Sequence, residues 1–258
     1  MIRLDAATVL LQWATGGLLF CWFTTRRREV GIGYGWLLRS VFATMAVGAL
    51  VCGLLLPTGH RAADVVRDLG AAAVVAAAAV ALAISVVRRR GGPRALPATL
   101  DLVAPLLGAV GLVGAAVGAG GNDAVAVVRT LAGAAFLGAV TDAMLLGHWY
   151  LVQPGLPRRV LNELVRMVGL MWPIEVAALL LPTGMVSVLD GSVSDGWNGT
   201  LGWFWLACAV TTIGLVLVTR AALRERYYSA VMAATGLLYL AILTAFGTDL
   251  VARAVLAG

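Results

Sequence analysis

The chain has 258 residues, of which 61% are hydrophobic and only 12% are charged, and its mean hydropathy is +0.94. Soluble domains carry about 25% charged residues, so this composition excludes an ordinary soluble domain and indicates that the chain is solvated by lipid. The net charge of +6 comes from 19 Arg and no Lys. Because these Arg lie mainly in short loops between apolar segments, they indicate membrane topology, and we expect no nucleic-acid partner.

Eight apolar segments are long enough, at about 20 residues, to cross the hydrocarbon core of a bilayer as helices. The sequence predicts these spans at 6–24, 34–56, 66–87, 98–118, 126–152, 160–181, 200–219 and 228–255. The connections are short and rich in Gly, Pro, Asp and Arg, which is typical of turns. The expected fold is therefore an all-α polytopic membrane protein with eight transmembrane helices.

The Arg residues also predict how the spans are oriented. Twelve Arg follow the first, third, fifth and seventh spans, at positions 26–28, 88–90, 94, 158, 159, 220, 224 and 226. The acidic residues of the connections lie mainly in the alternate ones, at Asp64, Asp68, Asp123, Asp190 and Asp195. Because positively charged loops stay in the cytoplasm, both termini are predicted outside it. The abundance of Ala, Val and Gly without Lys indicates a high-GC bacterial genome, so the expected location is a bacterial plasma (inner) membrane.

An internal repeat is indicated by the hexapeptide LLLPTG, which occurs at 54–59 and again at 179–184, 125 residues later. Two further pairs align at an offset of 127 residues: Trp22 with Trp149, and Arg39 with Arg166. The expected domains are two parallel four-helix bundles, 1–118 and 126–258. The alternative is that Leu-Pro-Thr-Gly is a good helix stop that arose twice.

Ionisable residues inside membrane spans are costly, and they mark a functional site by default. Five such residues are candidates for a quinone or proton site: Asp142, His148, Arg166, Glu175 and Arg39. Asp142 and Arg166 lie at similar depths on consecutive antiparallel spans, so they are candidates to pair. That pair has two interpretations, a structural link between helices and a site for protons or a quinone headgroup.

The remaining candidates also have two interpretations each. His148 is either a donor to a quinone carbonyl or part of an interfacial aromatic cluster. Glu175 follows Pro173, where a kink is expected, and a carboxyl group beside a kink is a candidate proton carrier. Arg39 either faces the same site or extends to the inner interface. The helical wheel places Arg166 and Glu175 on opposite faces, so the candidates do not form one continuous path.

Several other kinds of site are not expected. The three Cys lie in apolar segments without CxxC spacing, and the two His lie near opposite membrane faces, so neither metal nor haem is predicted. No motif of a soluble-type hydrolase or NTPase is present. Two further groups look structural: Asp249 with Arg253 as an i,i+4 pair near the outer surface, and an interfacial belt of Trp197, Trp203 and Trp205.

Three function classes remain. The first is an integral membrane subunit of a respiratory or redox complex, which binds quinone and passes electrons or protons to partner subunits in the membrane or at its surface. Its layout resembles that of the NrfD/PsrC family of quinol-interacting anchors, which typically lack haem; the resemblance concerns topology alone and assigns no residue roles. The second class is a small transporter or channel, and the third is a non-catalytic structural subunit. If the chain takes part in enzymatic chemistry, it does so at most as a non-catalytic or quinone-binding subunit of an oxidoreductase.

Overall fold

A computed structural model describes residues 5–90, 98–118 and 122–256, and all regular secondary structure in these ranges is helical. The helices are α1 (Ala6–Thr25), α2 (Ile32–Leu55), α3 (Arg61–Arg90), α4 (Val103–Gly118), α5 (Asp123–Trp149), α6 (Arg158–Leu180), α7 (Gly184–Leu189), α8 (Thr200–Ala222) and α9 (Tyr228–Leu256). A short 3-10 helix, Ala98–Leu102, precedes α4.

Most of these helices suit a bilayer. Among the described residues, seven helical segments are long and apolar enough to cross a membrane: α1, α2, α3, α4 together with the 3-10 helix before it, α5, α8 and α9. The prediction of an all-helical chain with many possible membrane spans is therefore confirmed. The remaining long helix, α6, has 23 residues but is interrupted by charged side chains. The expectation of eight spans thus depends on α6.

The helices differ from the predicted spans most clearly in two places. α3 continues past the apolar run, so Arg88 lies in a helix rather than in a loop, while Arg94 lies outside the described residues. The short helix α7 lies in the segment that was expected to be the long loop 182–199. Each copy of LLLPTG lies at the end of a long helix, α2 or α6. This position agrees both with a duplication and with a helix stop that arose twice.

The chain divides into two compact units, the first of which is Asp5–Gly138. Its helices approach one another through glycines. A Cβ atom on Gly16 of α1 would overlap the carbonyl oxygen of Ala134 on α5, and a Cβ atom on Gly138 would overlap the backbone of Gly16. Small residues therefore allow α1 and α5 to pack backbone against backbone, as is common in membrane bundles.

One end of the first unit is held together by a buried guanidinium group. The Nη1 atom of Arg67 lies 3.0 Å from Oδ2 of Asp5 and 3.1 Å from Oδ1 of Asp64, and its Nε lies 3.0 Å from Oδ1 of Asp68. Asp5 also accepts hydrogen bonds from the first turn of α1. Asp64 accepts hydrogen bonds from Thr58 in the first LLLPTG copy. A single side chain thus joins the start of α1, the α2–α3 turn and α3.

The second unit begins at Ala139 and contains the end of α5 with α6 to α9. Near the ends of α6 and α9, α7 packs onto an apolar core made of Leu179, Met185, Val188, Trp205, Ala252 and Val255. Trp205 is only 1% exposed, so its prediction as part of an interfacial belt is wrong: its position on α8 turns it toward this core. Trp197 and Trp203 are both exposed.

Asp195 caps the N-terminus of α8 in the same unit. Its carboxylate accepts hydrogen bonds of 2.8 Å from the backbone N–H groups of Trp197, Gly199 and Leu201. Burial acts to raise the pKa of Asp195, but the backbone donors outweigh burial, and the pKa lies below its usual value. The ionised carboxylate therefore stabilises the start of α8.

Candidate functional site

Two acidic side chains are fully buried next to each other in the second unit, Glu175 on α6 and Asp249 on α9. Leu179, one turn after Glu175, belongs to the same apolar core as Ala252, which follows Asp249 by three residues. The helix ends bring these positions to the same level, because Glu175 precedes the end of α6 by five residues and Asp249 precedes the end of α9 by seven. Both carboxyl groups therefore lie inside the bundle, near the end covered by α7.

A cation accompanies the two carboxyl groups. The Nε of Arg253, one turn beyond Asp249 on α9, lies 2.9 Å from each of the two carboxylate oxygens of Asp249. Glu175 interacts electrostatically with both of these residues. The sequence predicted the pairing of Asp249 with Arg253, and the pairing is confirmed. Packing against α6 buries the carboxylate of Asp249 inside the unit.

The cluster of Glu175, Asp249 and Arg253 is not saturated with hydrogen-bond donors. Within the described ranges, the side chain of Glu175 meets the carboxyl group of Asp249, and no basic side chain or backbone N–H group donates a hydrogen bond to it. With both acids ionised, two negative charges would share one guanidinium in a medium of low dielectric constant. Burying an uncompensated charge is costly, so binding one proton, which makes the cluster neutral, is favourable. The arrangement is therefore chemically suited to holding a proton.

A buried donor lies close to the same cluster. The indole N–H of Trp205 has no acceptor within the described part of the chain, although its ring packs with Leu179 and Ala252. Such unsatisfied buried groups are rare and call for a specific explanation. Trp205 thus places this donor in the core that contains Leu179, one turn of α6 from Glu175.

Asp142 and Arg166, which were expected to pair, are not brought together. Asp142 is fully buried in α5, whereas Arg166 is exposed on α6. Among the described ion pairs none joins them. The side of α6 that packs into the unit contains Val165 and Val168. Arg166 lies on the exposed side of the helix, so its side chain points away from the interior of the unit. The opposite orientation of Arg166 and Glu175 agrees with the helical wheel.

His148 lies at the end of α5 and is exposed. Its ring meets the ring of Tyr239 on α9 edge to face, with centroids 6.4 Å apart and planes at 84°. The neighbouring Tyr150 is buried instead and donates a hydrogen bond of 3.0 Å to the carbonyl oxygen of Pro157. His148 thus has an aromatic partner from another helix, and its ring remains accessible from outside the unit.

Arg39 belongs to the first unit, where it pairs with a residue 62 positions later. Its Nε lies 2.9 Å from Oδ1 of Asp101, and its Nη2 lies 2.7 Å from Oδ2. Both side chains are almost completely buried. Arg39 therefore joins α2 to the 3-10 helix before α4 through two parallel hydrogen bonds, the strongest geometry available to this pair.

Comparison of this chain with models of protein families, with characterised proteins and with solved structures finds no match. Its function is therefore argued from the residues of the candidate site.

Proposed function

We propose that this protein is a multi-pass membrane protein that binds and passes protons at Glu175, beside Asp249 and Arg253, as the membrane subunit of a redox complex. The observation that carries the proposal is the burial of two carboxyl groups with a single guanidinium, next to helices long and apolar enough to span a bilayer. Ionisable groups at such positions are typical of proton relays.

Proton binding changes the charge of this cluster in a simple way. With Arg253 charged, one proton shared by Glu175 and Asp249 gives a neutral site, and loss of that proton leaves one negative charge. Asp249 is held by Arg253, so Glu175, which forms none of the described ion pairs, is the group expected to take up and release the proton. The same cycle serves a redox subunit and a proton-coupled transporter.

The proposed redox role includes a quinone, for which His148 is the candidate contact. Quinones diffuse within the hydrocarbon region and release or take up protons when they change oxidation state. His148 is exposed and lies against Tyr239, so its ring nitrogen is available to a quinone carbonyl from the bilayer. Asp142, buried two turns earlier on α5, is the second proton-binding candidate in this proposal.

The proposed arrangement in the membrane has eight spans, with α6 as the eighth, in a bacterial plasma membrane. The Arg-rich connections favour extracytoplasmic termini, and the LLLPTG copies favour two parallel four-helix repeats. Fusion of a reporter to the C-terminus tests this topology. Alkaline phosphatase, which is active only outside the cytoplasm, is expected to be active, and green fluorescent protein is expected to be dark. The reverse result would contradict the topology.

The proton site is tested by infrared difference spectroscopy of the protein in liposomes after a pH step. A protonated carboxyl band that changes with pH is expected in the wild type and is expected to lose intensity in Glu175→Gln. Glu163→Gln, on the same helix but outside the cluster, is the matched control and should keep the band. The same band in both variants would overturn the assignment of proton uptake to Glu175.

The redox role is separated from transport by two measurements on the same variants. Proton movement by the purified protein alone, in liposomes under a membrane potential, would identify a transporter or channel. Proton release coupled to quinol oxidation in native membranes, reduced in Glu175→Gln and associated with copurified oxidoreductase subunits, is the expected result. If Glu175→Gln changes neither activity, the protein is a structural subunit and the proposal fails.

A further inference from the structure

One face of α6 is exposed along most of its length, and we call this face the α6 stripe. Its residues recur every three or four positions, so they lie on one side of the helix: Arg159, Asn162, Arg166, Leu170, Pro173 and Ala177. The opposite side of α6 packs into the second unit. The first half of the stripe is polar and the second half is apolar. The first half therefore requires polar partners, whereas the second half can face lipid or apolar side chains.

The α6 stripe lies at the depth of a membrane span, because α6 runs antiparallel to α8 along its whole length. Arg158 donates to the carbonyl oxygens of Glu225 and Arg226 beyond the end of α8. At the middle of α8, the indole N–H of Trp172 donates to the carbonyl oxygen of Ala209 over 2.9 Å. Arg166 lies between these two levels, and α8 is one of the seven helices suited to a bilayer.

An exposed guanidinium at this depth is unfavourable in lipid. Charged side chains within membrane spans almost always face the bundle interior or pair with another polar group. Arg166 lies eight residues from the start of α6, which is about 12 Å along the helix axis at the usual rise per residue. A carboxylate from another helix would compensate this charge directly.

The first unit shows how the aligned residue is compensated. Arg39, which aligns with Arg166, is bound by Asp101 in the 3-10 helix before α4. The corresponding last helix of the second half, α9, has no acidic residue in its first turn. Within the described ranges, no carboxylate forms an ion pair with Arg166. In the first unit, Asp101 provides the carboxylate for Arg39. No described residue provides an equivalent carboxylate for Arg166.

A second copy of this chain does not supply that carboxylate. In a two-fold dimer formed through the α6 stripe, the same residue of each copy lies near the symmetry axis. Arg166 would then face Arg166, and like charges would repel at low dielectric constant. The required partner is a different chain.

We infer that the α6 stripe is the docking surface for a transmembrane helix of another subunit, which presents an Asp or Glu side chain to Arg166. The apolar second half, at Leu170, Pro173 and Ala177, packs against the same helix. This inference rests on the proposed role as a subunit of a membrane complex, but it does not depend on proton binding at Glu175.

Site-specific photocrosslinking in the native membranes tests the docking surface. A photoreactive amino acid replaces Ala177 in the stripe, and the matched control replaces Val80, an exposed residue of α3. We expect a single protein adduct from position 177 and none from position 80. The adduct should contain a transmembrane segment with an acidic residue at the level of Arg166.

Charge exchange then decides whether Arg166 makes the contact. Arg166→Glu is expected to abolish the adduct, and replacing the partner's acidic residue by Arg is expected to restore it. Adducts with lipid only, with a second copy or within the chain would overturn the inference, as would an adduct that survives Arg166→Glu. Glu175→Gln should leave crosslinking unchanged, so failure of the proton site and failure of the docking surface can be told apart.

Discussion

Arg253 donates from a single nitrogen to both carboxylate oxygens of Asp249, at 2.9 Å each, while Glu175 approaches the same pair from α6. One guanidinium thus serves two buried acids on two helices. The cluster therefore has one basic group for two acids, whereas the Arg39–Asp101 pair has one basic group for one acid.

Removal of Arg253 should destabilise the protein through the charge that it leaves behind. We expect Arg253→Met to lower the free energy of unfolding by about 3 kcal/mol, the usual cost of breaking a buried ion pair. Adding Glu175→Gln should recover part of this loss, because one of the uncompensated acids is gone. Thermal unfolding in detergent measures both effects. Arg220→Met, at the exposed end of α8, is the control and should change little. Equal stability of Arg253→Met and the wild type would contradict the buried cluster.

The Arg39–Asp101 pair should behave as a structural link. Arg39→Met or Asp101→Asn alone leaves a buried partner without its counter-charge, and each is expected to cost about 3 kcal/mol. The double variant should cost less than the sum, because neither charge remains. A double-mutant cycle of unfolding free energies measures this coupling, which is about 0.5–3 kcal/mol for residues in contact. Strict additivity would show that the two residues do not interact.

The contact between α1 and α5 should tolerate no side chain at Gly16. A Cβ atom there overlaps the carbonyl oxygen of Ala134, so Gly16→Ala must push the helices apart and lower the melting temperature. Gly214→Ala on α8 is the matched control, since a Cβ atom at Gly214 meets nothing within 4 Å. The control should be neutral or gain up to about 1 kcal/mol of helix propensity. Similar effects of the two substitutions would be incompatible with the close packing of α1 and α5.

The Asp195 cap should make stability depend on pH. Its pKa in the folded protein lies below its usual value, because the backbone N–H donors of Gly199, Trp197 and Leu201 outweigh burial. The carboxylate therefore contributes stability above its unfolded pKa of about 3.9, and this contribution disappears as the pH falls through the lower folded pKa.

Asp195→Asn should accordingly lower the melting temperature at pH 7 but not under strongly acidic conditions. Glu225→Gln is the control, because Glu225 lies exposed beyond the end of α8. A difference between Asp195→Asn and wild type that is constant with pH would exclude an ionised cap.

The long helices could be predicted because the length of an apolar run is a local property. The runs at 6–24 and 200–219, for example, match α1 and α8 closely. The helix α7 was missed because it has only six residues and too little periodicity to distinguish it from a loop. Trp205 was misplaced because its position near a predicted interface gives no information about which way the side chain points.

The candidate site could be predicted only in part, because its partners come from distant segments. Glu175 was identified by its charge within an apolar run, but Asp249 was assigned to a local pair with Arg253. Its proximity to Glu175 depends on how α6 packs against α9, which no local pattern encodes. Counting residues to the shared end of each helix would have placed both acids at a similar depth. The same limit applies to Arg39 and Asp101, which are 62 residues apart.

The alignment of α6 along α8 has a consequence for the biogenesis of this protein. α6 carries too many charges to enter lipid readily alone, and the helix that accepts its Trp172 hydrogen bond is synthesised later. We expect α6 to remain in or beside the translocon until α8 emerges from the ribosome, so that the two enter the bilayer together. A chain truncated before Thr200 should therefore leave α6 unintegrated and open to degradation by membrane proteases.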